Sequence, residues 1–334
     1  MKLKTTTAIL LGTIVSLDVT SAMADTLKIS HLRPQDTEHD KNVKALVESV
    51  TSKTDDIDFR VFPANSLGDY TTVQERISVG AVEMALQPIS SSADKKLQIG
   101  LLPYLASDWD EATEIFGRGS AIREAVADRY QEQNIKVLAG YPVYFGGISL
   151  NREPVEVDSV DDKGGIKLRV PPFKTFSLLG NALGYISSPL PFSEAFTSIQ
   201  TGVVDGAMGA GAEGYYNSLR DVTEYYIPQN THFEFWYLLI NDDTFEGLNK
   251  QAQSSLLDAA KSFESQRWEE AESSQELYEK RLEEAGTVVV DASDELLEAS
   301  AKAAKNDVWP EIISDMGEDW ATPILEEAVG YPSE

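Results

Sequence analysis

The sequence predicts an α/β fold of two lobes, built from mainly parallel sheets flanked by helices and crossed by one long helix. Three observations carry this expectation. Segments that alternate with a period of two interleave with segments that repeat every three to four residues, as strands and helices do when they take turns along a chain. The 334 residues exceed what a single core usually organises. Between Gly247 and Gly286 there is neither glycine nor proline, so nothing interrupts a helix there.

Taken in order, Lys2 and Lys4 precede an apolar stretch from Ala8 to Leu17, and Ala22-Met23-Ala24 supplies a small-x-small cleavage pattern. Residues 1–24 therefore read as a secretory signal peptide, because the apolar stretch falls short of the roughly 20 residues that span a bilayer. The expected product is exported to a bacterial periplasm, without direct insertion in the membrane. Thr26 to Ser30 reads as a first strand, and residues 38–51 carry Val43, Ala45, Leu46 and Val50 at helical spacing. Asp56 to Phe62 alternates as a second strand that ends at Pro63, and Asp69 can cap a helix that Gly80 closes. Met84 to Pro88, Ile135 to Ala139, Gly146 to Leu150 and Lys167 to Val170 continue the strand pattern.

In the glycine-free run, Leu256, Ala260, Phe263, Trp268, Ala271, Leu277 and Leu282 fall near one helical face. As one helix it would be roughly 57 Å long at the usual rise per residue, longer than either lobe needs. A break near Ser273-Ser274 would give two ordinary helices instead. The expected division is 25–146 plus about 236–270 for the first lobe and 147–235 plus about 271–325 for the second, with a ligand cleft between them.

Composition and motifs narrow the function. The 55 acidic residues outnumber the 28 basic ones, for a formal net charge of −27. A field of that sign repels nucleic acid and anionic lipid, and it suits a saline medium as well as an ordinary soluble periplasmic surface. With no cysteine there is no disulfide framework and no thiolate nucleophile or metal ligand. His31, His39 and His232 form no HExxH pattern, and no GxSxG elbow occurs. Neither an enzyme nor a cofactor or metal site is expected. Gly209 to Gly214 does match GxGxxG, but it lies deep in the chain and no strand ending in an acid follows about 20 residues later. The expectation there is a tight interlobe turn.

PANSLGDYTTVQERISVGAVEMA, LLPYLASDWDEA, GGIKLRVP, SPLPFSEAFTSIQTGVVDG and THFEFWYLLIN occur in this order and spacing over nearly all of the chain after residue 24. In this the sequence resembles the DctP-like substrate-binding proteins of TRAP (tripartite ATP-independent periplasmic) transporters. The resemblance implies a periplasmic binding protein fold, capture of a small organic acid by Venus flytrap closure of two lobes, and delivery to a membrane permease driven by a sodium gradient. A soluble monomer is the usual form of such proteins. It also implies that Arg169, in the LRVP segment, pairs with the ligand carboxylate, and that Phe192 forms part of the apolar wall. His31, Arg33 and Gln87 lie where members often contribute a contact, and His232 matches a histidine near the interlobe hinge.

Two departures bear on the ligand. Where many members have an asparagine after the DG turn, this chain reads Ala207-Met208-Gly209, which places Gly209 at the ligand without that polar contact. Tyr144-Phe145-Gly146-Gly147 contains no second arginine. A heavily hydroxylated acid is disfavoured. Tyr144, Phe145, Phe173, Phe176, Tyr215, Phe233, Phe235, Trp236 and Tyr237 supply candidate cleft segments instead, some of them core and some able to grip an apolar, aromatic or quaternary-ammonium group. Tyr144, Phe233 and Trp236 are taken as ligand contacts. An extracytoplasmic sensor subunit would use the same cleft, and only partner identification separates sensing from uptake.

Overall fold

The structure, a computed structural model, describes residues 25–332. The expected signal peptide, residues 1–24, lies outside them. The first lobe begins with β1 (Asp25–His31) and α1 (Glu38–Thr51), whose N-cap Thr37 accepts from the Asp40 N–H. β2 (Ile57–Phe62), α2 (Tyr70–Ser78) and β3 (Met84–Gln87) follow, and the Asp69 side chain caps α2 as the sequence indicated. A 3₁₀ segment (Lys95–Leu101), α3 (Trp109–Phe116) and α4 (Ala121–Gln131) then lead to β4 (Ile135–Phe145).

At Gly146 the chain crosses to a second sheet. β5 (Gly147–Leu150), β6 (Lys167–Val170), α5 (Lys174–Ala182), β7 (Ile186–Pro189), α6 (Phe192–Gln200), β8 (Gly206–Ala210), α7 (Ala212–Ser218) and β9 (Tyr225–Ile227) build the second lobe. β10 (Phe233–Asn241) returns to the first sheet, and α8 (Asp242–Gly247) and α9 (Lys250–Glu284) follow it. β11 (Val288–Val289) joins the second sheet, and α10 (Asp294–Ala303), α11 (Trp309–Met316) and α12 (Glu318–Val329) complete the chain.

The first sheet has the order β2-β1-β3-β10-β4 and the second β11-β9-β5-β8-β6-β7. Both are mixed. Five of the nine pairings among the described residues are parallel, and the four antiparallel ones all involve β10 or β5. The parallel ones follow from the β-α-β connections on which the sequence reading rested. The antiparallel ones arise because the chain enters and leaves the second lobe through strands, which run counter to their neighbours.

α9 is a single helix of 35 residues, about 52 Å at the usual rise, with no break at Ser273-Ser274. Asn249 caps its start, and Gly286 takes the positive φ of +100° just beyond its end. Its buried residues recur at three- and four-residue spacing from Ala252 to Leu282. They bind it to α1 and β4 in the first lobe and to α7 and β11 in the second. Polar contacts add register: Arg267 donates from Nε to the Pro142 carbonyl at 2.7 Å, and Glu264 accepts from the Gly140 N–H at 2.9 Å and from Arg123 at 3.0 Å. A buried carboxylate so paired and so bonded is a costly thing to disturb. Among the described residues no helix is long and apolar enough to cross a membrane.

Candidate functional site

Between the two sheets lies a cavity of about 40 Å³, room for a few water molecules. β1, β3, β4 and β10 bring Arg33, Ile89, Tyr144, Glu234 and Trp236 to it from the first lobe, on the strands or just past their ends. The second lobe contributes Arg169 and Pro171 at the end of β6, Phe173 and Phe176 at the start of α5, Phe192 at the start of α6, and Gly209 and Ala210 at the end of β8. The walls are mostly aromatic.

Arg169 is 1 % exposed and sits on a strand paired on both edges. Its Nε donates to the Leu190 carbonyl at 2.8 Å, and Nη1 to the Met208 carbonyl at 3.4 Å. Neither is a counter-charge, and no carboxylate lies within ion-pair distance of it among the described residues. Burial lowers its pKa from the usual arginine value, offset in part by the tyrosines Tyr70 and Tyr215 and by Asp69. An arginine stays charged even so. The Phe192 ring centroid is 5.5 Å from its guanidinium carbon. Pro171 ends the strand behind it and fixes the turn.

Arg33 is equally buried but compensated. Its Nε donates to Glu213 of α7 at 2.7 Å, and Nη2 lies 2.6 Å from the same carboxylate. Burial pushes the Glu213 carboxyl up, but Arg33 and His39 outweigh it and hold the group at about 2. This pair joins the two lobes across the cleft. A second interlobe bond runs from the Thr175 hydroxyl to Gln98 Oε1 at 2.9 Å. The lobes are therefore closed around the cavity.

Gly209 takes φ +87°, a backbone favouring glycine, and a Cβ there would stand 2.4 Å from Pro171 Cγ. A Cβ on Gly211 would meet the Tyr144 ring at 2.5 Å. The GxGxxG segment is thus a strand-to-helix turn from β8 to α7, inside the second lobe and not between lobes. Its glycines let first-lobe side chains approach its backbone.

The profile of the bacterial extracellular solute-binding proteins, family 7 (DctP), matches residues 29–315. The chain belongs to this family. A solute-binding protein of Roseobacter denitrificans is 28% identical over 287 residues, covering 84% of this chain and 85% of its own. Among solved structures, a TRAP periplasmic solute-binding protein of Haemophilus influenzae with bound L-gulonate superposes with a TM-score of 0.83 at 23% identity, over 91% of this chain and 98% of its own. A Bordetella pertussis extracytoplasmic solute receptor binding pyroglutamic acid does so with 0.82 at 20% identity, over 91% and 99%. The fold is that of the TRAP periplasmic solute-binding proteins, in keeping with the solute-binding family that the chain belongs to.

Within this family 7 member, the residues expected at the ligand divide. Arg169, Phe192, Gly209, Arg33, Tyr144 and Trp236 line the cavity. His31, Gln87 and Phe233 do not. His31 Nε2 faces Asp40 at 3.2 Å behind β1, and Gln87 donates to the Tyr70 carbonyl at 3.1 Å. Phe233 lies on the opposite face of β10, stacked on Trp268 at 6.1 Å and edge-on to Trp109 at 5.2 Å. Arg33 lines the cavity, yet Glu213 holds its charge. His232 sits at the crossing, where its carbonyl accepts from the Gly146 N–H at 2.8 Å.

Tyr70, Pro88 and Glu234 are cavity residues that the sequence reading missed. For Glu234 a signal existed. In a strand with period two it shares a face with Trp236, while Phe233 and Phe235 share the other.

Proposed function

We propose that this protein captures a small organic acid in the periplasm, with Arg169 as the carboxylate anchor, and delivers it to the membrane permease of a TRAP transporter. One observation carries the reading: a fully buried guanidinium faces an interlobe cavity without a counter-charge. A ligand carboxylate supplies that charge through two parallel hydrogen bonds in the plane of the guanidinium. Phe192, Tyr144 and Trp236 pack on the rest of the molecule, and Gly209 leaves room for it. Export rests on the signal peptide expected over residues 1–24.

Closure follows from differential contact. A ligand that touches both lobes stabilises the closed form only by what the open form cannot offer it. The lobes, joined where the chain crosses at Gly146, again before Phe233 and a third time along α9 to β11, turn about those crossings. The permease then reads the closed surface, and opening releases the acid.

A thermal-shift screen against small carboxylates tests the reading. A ligand at about 100 times its dissociation constant contributes about 2.7 kcal/mol, a clear rise in melting temperature. A rise with at least one acid, abolished in Arg169→Ala, is expected. A rise that survives in Arg169→Ala would overturn the anchor.

A further inference from the structure

We propose that Glu234 makes this cleft selective for small zwitterions, with the ligand carboxylate at Arg169 and a cationic nitrogen at Glu234; the inference rests on the Arg169 anchor. Glu234 is 8 % exposed and lines the same cavity from the opposite lobe. Its Oε1 accepts from Trp236 Nε1, and Oε2 lies 3.0 Å from His232 Nε2. His232 Nδ1 lies 3.0 Å from the Thr231 hydroxyl. With the imidazole proton on Nε2, every one of these contacts is a hydrogen bond: the hydroxyl donates to Nδ1 and Nε2–H donates to Glu234. The carboxylate is thus held by one donor on each oxygen, and each oxygen keeps a lone pair for a ligand.

Charge balance selects the ligand class. Arg33 is cancelled by Glu213, which leaves Arg169 and, with His232 neutral as in that tautomer, Glu234 as the two charges lining the cavity without an ionised partner at ion-pair distance, one of each sign. A plain anion would neutralise Arg169 and leave Glu234 as a net negative charge in a nearly closed site, which is costly. A dicarboxylate would add repulsion. A zwitterion leaves the whole assembly neutral. The cationic end falls to Glu234 and not to the rings, because the Arg33 guanidinium carbon already lies 4.9 Å from the Trp236 ring centroid and both arginines lie within 5.6 Å of that of Phe192. The wall offers few polar groups for the hydroxyls of a sugar acid.

Matched pairs of probes test this by exchanging only nitrogen for carbon: trimethylglycine against 3,3-dimethylbutanoate, and L-proline against cyclopentanecarboxylate, with succinate and gluconate as anionic references. In calorimetric titrations the nitrogen member of at least one pair binds about tenfold or more tighter than its carbon isostere. Glu234→Gln brings the two members of that pair level, Glu234→Asp keeps part of the preference, and Arg169→Ala loses both. Circular dichroism of each variant checks its fold. Carbon isosteres, succinate or gluconate binding as tightly as the nitrogen compounds would overturn the zwitterion class while leaving the Arg169 anchor in place, as would a preference unchanged in Glu234→Gln. Silence from every probe with wild-type protein overturns the class, and binding that survives in Arg169→Ala overturns the anchor itself.

Discussion

Two buried arginines face one cleft from opposite lobes, and only one of them has a counter-ion. Arg33 meets Glu213 at 2.6 Å, so its charge is spent on joining the lobes. Arg169 has only the carbonyls of Leu190 and Met208. Residue type and burial are the same at the two sites. What separates the two is the local charge balance, because a buried charge without a partner is costly, and the proposed role of Arg169 in binding rests on that difference.

The paired side should break hardest. Arg33→Ala leaves Glu213 as a buried carboxylate without its main partner, and a loss of about 3–5 kcal/mol is expected in urea denaturation. A loss below about 1 kcal/mol would mean that the pair does not hold the lobes.

Acid sharpens the comparison, since the groups around Arg33 titrate. Burial lowers the His39 pKa from 6.5 to about 3, although Glu213 opposes this, and Glu213 itself moves from 4.5 to about 2. Both folded values lie below the unfolded ones, so the unfolded chain binds protons more readily as the pH falls. The His39 contribution is intact above about pH 6.5 and drains away toward about 3, and that of Glu213 drains from 4.5 toward about 2. The melting temperature is therefore expected to be level near neutrality and to decline below about pH 6.5. A His39→Gln variant should lose the upper part of that slope. A melting temperature that climbed on acidification would contradict the assignment.

On the unpaired side, Arg169→Ala without ligand should keep stability within about 1 kcal/mol or raise it, because it removes a buried charge that no carboxylate meets at ion-pair distance. A loss as large as that of Arg33→Ala would make Arg169 structural. The smallest effect belongs to Phe192→Leu. Its ring lies 5.5 Å from the Arg169 guanidinium carbon and 5.6 Å from that of Arg33, and its replacement should weaken ligand binding by about 1 kcal/mol with the fold unchanged. Titration of the variant against wild type reads that difference, and a loss of several kcal/mol would move the binding energy from the arginine to the ring.

Much of this was legible in the sequence, for local reasons. A run without glycine or proline from Lys250 to Glu284 forms one helix because nothing within it removes a hydrogen bond or adds backbone entropy. Arg169 stood out through its strand and the prolines behind it. The misreadings were non-local or concerned parity. Glu213 lies 180 residues from Arg33, so no inspection of the first strand reveals that the guanidinium is already engaged. Phe233 and Glu234 are neighbours, and which faces the cleft depends on how β10 seats between β3 and β4. Aromatic residues favour both a core and a ligand wall, while an acid is seldom buried, so composition pointed to the wrong neighbour.

The proposed role of the cleft turns on a ligand carboxylate completing the charge left open at Arg169. Calorimetric titration of wild type and Arg169→Ala with the acid that gives the largest thermal shift tests it directly. A loss on the order of 2–5 kcal/mol is expected in the variant, with stability in the absence of ligand preserved. Wild-type affinity in Arg169→Ala would contradict it.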